Sequence, residues 1–213
     1  MIFGLVLAAG RSSRFGTDKA LAQLGGRSLL DSAVDVLSGG CVRVAVNAHE
    51  GPIADDAAAR GLERIADPPG APDGPLAGVL AGLTWAEAAG ASLLATAPCD
   101  TPFLPADLVA RLAEALKADD GLAFARAPDG VHPLCGLWRV RLIEPLAAML
   151  ADGRHPPARA AVEQLGGRAV DFPDPAAFFN VNTRQDLAGA ARALISRGER
   201  LIADRDDDAK RHD

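Results

Sequence analysis

The chain has 213 residues, 49% hydrophobic and 23% charged, the size and composition of one ordinary globular domain with a substantial core. A net charge of −6 argues against a general nucleic-acid binder, which would be basic overall, and still allows a local cationic site for an anionic ligand. Three widely separated cysteines, Cys41, Cys99 and Cys135, build neither a disulfide framework nor a zinc spacing and fit a reducing, cytoplasmic setting.

Met1-Ile2-Phe3-Gly4-Leu5-Val6-Leu7 is an apolar run that predicts a strand over 2–7. It is too short to cross a bilayer. It also lacks the basic leader of a signal peptide, and no other segment reaches spanning length, so no membrane association is expected. The run breaks into Ala8-Ala9-Gly10-Arg11-Ser12-Ser13-Arg14-Phe15-Gly16-Thr17-Asp18-Lys19. Gly10 and Gly16 place no Cβ between backbone and ligand. Arg11, Arg14 and Lys19 put three cations on one short loop, where a triphosphate needs them. The spacing is that of neither a Walker A loop nor G-x-G-x-x-G. A helix is predicted over 28–37, a strand over 42–47 ending at the polar Asn47, and a helix over 52–60. Ala66-Asp67-Pro68-Pro69-Gly70-Ala71-Pro72-Asp73-Gly74-Pro75 is too rich in proline and glycine for regular structure; long loops of this kind are often functional.

A helix over 75–88 and a strand over 93–97 follow, leading into Pro98-Cys99-Asp100-Thr101-Pro102. The next helix, 105–117, has a proline in its first turn and Asp107 to suit the helix dipole. Strands at 121–125, 134–138 and 169–172 and helices at 142–150 and 184–196 complete the set. Residues 203–213 are almost all charged and read as a disordered tail, leaving 1–202 as one domain.

Strands alternating with helices predict an α/β domain with a mainly parallel sheet. The near-continuous apolarity of the first three strands suits burial on both faces. Ligands of such sheets sit beyond the strand C-termini, so the first loop, Asn47 and Asp100 should converge. There Asp100 can hold Mg²⁺, which needs one or two carboxylates and takes the rest of its shell from phosphates and water. Such an ion neutralises charge on a transferring phosphoryl group; the alternative is a turn-capping aspartate. Asp67 can read a base edge or ribose, join the metal, or simply open its loop. Asn47 can contact base or ribose, or cap the helix after it.

His132 and His155 lack an evident partner and read as structural or surface histidines. Cys99 and Cys135 read as small buried hydrophobes, and no Ser-His-Asp or Cys-His arrangement is supported. In Phe178-Phe179-Asn180-Val181-Asn182-Thr183, Asn180 and Asn182 share one face of an extended segment, suited to a polar substrate or a second subunit. Thr183 suits the N-cap of the last helix.

In order, Leu7-Ala8-Ala9-Gly10 through Asp18-Lys19, Gly74-Pro75-Leu76-Ala77-Gly78, Pro98-Cys99-Asp100-Thr101-Pro102, His132-Pro133-Leu134 and Phe179-Asn180-Val181-Asn182-Thr183 resemble the molybdenum cofactor guanylyltransferase family. The resemblance implies a single-domain, Rossmann-like nucleotidyltransferase fold of the glycosyltransferase-A type. It implies a Mg²⁺-dependent transfer of GMP from GTP to molybdenum-loaded molybdopterin, with pyrophosphate released. By the same resemblance Leu7, Ala8, Ala9, Gly10, Lys19, Asn47, Asp67 and Asp100 bind the nucleotide and Asp100 binds Mg²⁺. Lys19, Arg14 and Asp100 act in catalysis, and His132, Asn180 and Asn182 face the pterin in the C-terminal half. The chain departs from the family at Ala9: Leu-Ala-Ala-Gly resembles the sister cytidylyltransferases, whereas the guanylyl branch usually reads Leu-Ala-Gly-Gly. The competing readings are a CTP-dependent enzyme, a sugar-phosphate nucleotidyltransferase, and a non-catalytic cofactor chaperone.

Overall fold

The computed structural model describes residues 1–10, 15 and 18–196. Arg11, Arg14, Gly16 and the charged 203–213 segment lie outside the described residues. Seven strands form the central sheet: β1 (Ile2–Leu7), β4 (Arg43–Asn47), β5 (Glu63–Ile65), β6 (Leu93–Pro98), β7 (Leu122–Ala127), β8 (Gly130–Arg139) and β9 (Gly167–Asp171). Their order is β5-β4-β1-β6-β8-β7-β9. β8 runs antiparallel to both its neighbours and every other pairing is parallel, so the predicted α/β fold with a mainly parallel sheet is what forms. A two-residue-strand hairpin, β2 (Gln23–Leu24) and β3 (Arg27–Ser28), stands apart. Its Gly25-Gly26 turn has φ of 61° and 83°, the left-handed pair such a tight turn requires.

Period-two alternation along β1 decides which layer each side chain enters. Phe3, Leu5 and Leu7 face a layer built from α3 (Pro75–Ala88), α5 (Ile143–Leu150) and α6 (Ala158–Gln164). Val6 and Ala8 face the other, with α1 (Leu29–Ser38), α2 (Pro52–Ala59) and α4 (Leu108–Ala115). Helices therefore cover both faces of the sheet, as continuous apolar parallel strands demand. A third, small cluster joins Phe15, Leu24 and Leu29 to Val181 and Ala190. It brings α7, residues 184–196, against the hairpin that follows the first loop.

The predicted elements differ from the observed ones mainly at their ends. Ser28 is the N-cap of α1: its Oγ accepts from Asp31 N–H (3.0 Å) while Asp31 Oδ2 accepts from Ser28 N–H (2.8 Å), a reciprocal pair that sets the start. α4 begins at Leu108 rather than Pro105, because Leu108 N–H donates to Pro105 O at 3.0 Å and closes a separate turn first. Besides the short β2–β3 hairpin and the single-turn helices, two elements went unpredicted: β5, three residues with two exposed charged side chains, and α6, whose start follows Pro156-Pro157. Neither carries a long enough apolar period to be seen.

Candidate functional site

The strand ends are flush. Leu7 pairs with Asn47 on one side and Pro98 on the other, and Asn47 pairs with Ile65. Ala8 N–H donates to Asn47 O (2.9 Å) and Cys99 N–H to Leu7 O (3.1 Å), holding the first residues past each strand at one sheet edge. The chain leaves β1 toward β4 on one side and returns to β6 on the other, the topological switch where open α/β sheets bind ligands.

A cleft of about 420 Å³ opens there, lined by Leu7, Ala8, Ala9, Gly10, Lys19, Asn47, Asp67 and Asp100. These are all of the residues singled out from the sequence for nucleotide. His49, Asp73, Gly74, Pro75 and Leu134 line it too and were not singled out for this site. The available signal was positional: His49 lies two residues past a strand end, and Asp73 lies in the proline-rich loop two residues before α3.

Asn47 is buried, at 2% exposure. Its Nδ2 donates to Ile65 O (3.1 Å) and Asp67 Oδ1 (2.8 Å), so it ties two strand ends together. It does not cap α2, where Gly51 precedes Pro52 without a side-chain cap. Asp67 is thereby anchored through one carboxylate oxygen. α3 crosses Asn47 closely: a Cβ on Gly78 would lie 2.2 Å from Asn47 Oδ1.

Lys19 joins three distant segments. Its Nζ donates to Asp100 Oδ2 at 2.7 Å and to Asn182 Oδ1 at 3.2 Å. The lysine and aspartate side chains are only 14% and 21% exposed. Val181 N–H donates to Asp100 O (2.8 Å), so backbone and side chain both fasten the Asn-Val-Asn segment to the end of β6. Asp100 is not a turn cap; that turn is closed by Thr101 Oγ1 donating to Pro98 O (3.0 Å).

The predicted Thr183 cap is present, with Asp186 N–H donating to Thr183 Oγ1 at 3.1 Å. The backbone N–H of Asn182 and the Thr183 side chain, in that order, hold the Asp186 carboxyl below its usual range. Arg14 lies outside the described residues.

His132 and His155 both have partners. The His132 ring stacks on Phe178 (4.6 Å, 19°), its Nε2 is 3.0 Å from Asp129 Oδ1, and Phe178 meets Phe172 edge-on at 5.3 Å. His132 thus braces the segment that carries Asn180, which is exposed, and Asn182. His155 Nε2 accepts from Leu76 N–H at 3.2 Å. The Cys99 thiol is pushed up to about 12, by burial first and by the Asp100 charge second. Burial likewise raises Cys135. Neither supplies a thiolate.

Among the described residues no three His, Cys, Asp or Glu side chains gather to hold a metal. Carboxylates that face a cleft without clustering make a poor all-protein cage, yet one of them, Asp100, suits as a Mg²⁺ anchor once phosphate oxygens complete the shell. Among the described residues the lining sets Asp67, Asp73 and Asp100 beside Lys19. The donor set fits a divalent cation arriving with its nucleotide. Also among the described residues, no helix is long and apolar enough to cross a membrane.

Residues 4–169 match the family described as MobA-like NTP transferase domain. The chain is 45% identical over 194 residues to the molybdenum cofactor guanylyltransferase of Cereibacter sphaeroides, covering 91% of this chain and 97% of that one. Among solved structures it is similar to molybdopterin-guanine dinucleotide biosynthesis protein A from Archaeoglobus fulgidus. That likeness has a TM-score of 0.73 and 22% identity, covering 92% of this chain and 100% of that chain. A Mycobacterium tuberculosis protein solved in complex with manganese has a TM-score of 0.61 and 20% identity, covering 90% and 98%. At these identities the two structures speak to the fold alone. Family match, relative and fold agree: the chain belongs to the MobA-like NTP transferase domain family and is a nucleotidyltransferase.

Proposed function

We propose that the enzyme transfers GMP from GTP to the terminal phosphate of molybdenum-loaded molybdopterin, forming the guanine dinucleotide cofactor and releasing pyrophosphate. The observation that carries this reading is the convergence of Leu7–Gly10, Lys19, Asn47, Asp67 and Asp100 on one cleft, in a chain 45% identical to a molybdenum cofactor guanylyltransferase. The base and ribose lie toward Asn47 and Asp67, and the phosphates toward Lys19 and Asp100. An oxygen of the acceptor phosphate attacks the α-phosphorus of GTP. A new P–O–P bridge forms, the α–β bridge breaks, and its electron pair leaves with pyrophosphate.

A phosphate nucleophile is already ionised, so the site needs no strong general base. Its work is positioning and charge. Lys19 exchanges Asp100 for the phosphates of the incoming nucleotide and neutralises charge on the leaving group; Arg14, on the same loop, adds to it. Asp100 is the residue that would hold Mg²⁺, whose chemistry there would be to neutralise the developing phosphoryl charge. The pterin lies on the side of Asn180 and Asn182. His132 acts there through Phe178, since its own Nε2 and ring face are already engaged. The three free cysteines fit a cytoplasmic setting.

The test is pyrophosphate release with Mg²⁺ and molybdenum-loaded molybdopterin, GTP and CTP in parallel. Release with GTP supports the proposal. Release with CTP alone moves the protein to the cytidylyl reaction, and release with neither, despite nucleotide binding, redirects the search to sugar phosphates or to a carrier role.

The CTP reading has one specific observation in its favour. Ala9 lines the cleft, where its methyl narrows the room for a purine. Ala9→Gly is expected to raise the GTP/CTP ratio of kcat/KM by about fivefold, a methyl-sized effect. An unchanged ratio would show that this loop does not read the base.

A further inference from the structure

We propose that His155 is a positioning residue for the nucleotide cleft: it holds the Asp73-Gly74-Pro75 wall in place by serving as the missing N-cap of α3. The inference rests on the cleft being the nucleotide site. The first turn of a helix leaves backbone N–H groups without intrahelical partners, and α3 begins without the usual means of satisfying them. Gly74, the N-cap residue, has no side chain to offer, and Pro75 at the first helical position has no N–H. Ala77 N–H donates to Gly74 O (3.2 Å). That leaves Leu76 N–H, on a fully buried residue, and its acceptor is His155 Nε2 at 3.2 Å, 79 residues further along the chain.

The fit at Gly74 is tight for the same reason. A Cβ built there would lie 2.1 Å from His155 Nε2, and φ is +150°, so only glycine admits the imidazole. An accepting Nε2 places the ring proton on Nδ1. His155 does not itself line the cleft, whereas Asp73, Gly74 and Pro75 do. The imidazole therefore stands behind the wall and fixes where the wall stands. The segment that carries it, between α5 and α6, is shaped by a left-handed Asp152 (φ 59°) followed by Gly153 (φ 71°).

The experiment compares wild type with His155→Leu, which removes the acceptor, and His155→Gln, whose Oε1 can restore it. Readouts are steady-state kinetics for both substrates, nucleotide Kd by calorimetry, and thermal melts. In His155→Leu the nucleotide Kd and KM are expected to rise about tenfold, the size seen when a supporting partner of a ligand-contacting group is lost. Neither kcat nor the acceptor KM should move more than about twofold, and His155→Gln should restore the nucleotide values. An unchanged nucleotide Kd in His155→Leu, equal losses in every parameter, or no rescue by glutamine would each overturn the assignment.

One readout needs no variant. Imidazole ¹⁵N correlation spectra of the wild type should report the Nδ1-protonated tautomer of His155, and an Nε2-protonated ring would overturn the proposal even if His155→Leu did not fold. A wild type that binds nucleotide and transfers nothing would refute the proposed reaction, and the calorimetric comparison would still decide the role of His155.

Discussion

Asp100→Ala is expected to lower kcat by about 10³-fold while leaving the protein folded. The magnitude is that of removing one preorganised group from a site where phosphoryl charge develops. The side chain sits just past the end of β6, is 21% exposed, and its polar partner is Lys19. The backbone role of the residue, accepting Val181 N–H at 2.8 Å, survives the substitution. The folded state loses a partly exposed ion pair, about 1 kcal/mol or less, so a melting curve should shift little. The kinetic loss should fall on kcat, with the nucleotide KM held within about threefold, because Lys19 remains to meet the phosphates and the acidic lining is reduced by one charge. Pyrophosphate release across a Mg²⁺ titration reads both. Full activity that still requires Mg²⁺ would mean that the ion sits elsewhere.

How much of this was legible in the residues differs between the two halves of the problem. The strands and the cleft were readable because they rest on local patterns: Leu5-Val6-Leu7 running into small residues, a polar Asn47 closing an apolar strand, an aspartate two residues past another. The sheet rule that ligands sit at strand C-termini then joins them without knowledge of strand order. What was not legible is pairing between remote side chains. Lys19 reads as one of three loop cations, and nothing local says that its ammonium reaches Asp100 and Asn182 at once. His155 reads as partnerless because its partner, Leu76, lies 79 residues away, and His132 because the ring it stacks on, Phe178, lies 46 residues on and its nearby Asp129 forms no recognisable motif with it. β5 is missed for a related reason: two of its three residues are charged and exposed, so only its pairing with β4 makes it a strand. In each case a tertiary contact supplies what no periodicity encodes.

Gly78→Ala separates fold from site most sharply. By helix propensity alone the change favours α3 by about 1 kcal/mol. The structure says otherwise, since the new Cβ would lie 2.2 Å from Oδ1 and 2.7 Å from Cγ of Asn47. Asn47 cannot simply swing aside: it is 2% exposed and its amide is committed to Ile65 O and Asp67 Oδ1. Either α3 lifts from the sheet or Asn47 gives up both bonds, at a net cost of about 3 kcal/mol from overpacking and unmade hydrogen bonds. Release of Asp67 from its anchor should weaken nucleotide binding by more than about tenfold.

Gly82→Ala, one turn further along α3, is the control. Its Cβ would meet Leu5 Cδ2 at 2.5 Å and Leu94 Cδ2 at 2.9 Å, apolar neighbours remote from the cleft lining, so it should cost stability and leave nucleotide Kd within about twofold. In the double variant Gly78→Ala/Asn47→Gly the clash is gone, and stability should recover relative to the sum of the single changes while nucleotide binding stays weak. Denaturant unfolding and calorimetry on the wild type, the three single variants (Gly78→Ala, Gly82→Ala and Asn47→Gly) and the double variant decide the matter. Equal losses of affinity in the Gly78 and Gly82 variants would mean that general loosening of α3, rather than the Asn47–Asp67 bond, controls the nucleotide site.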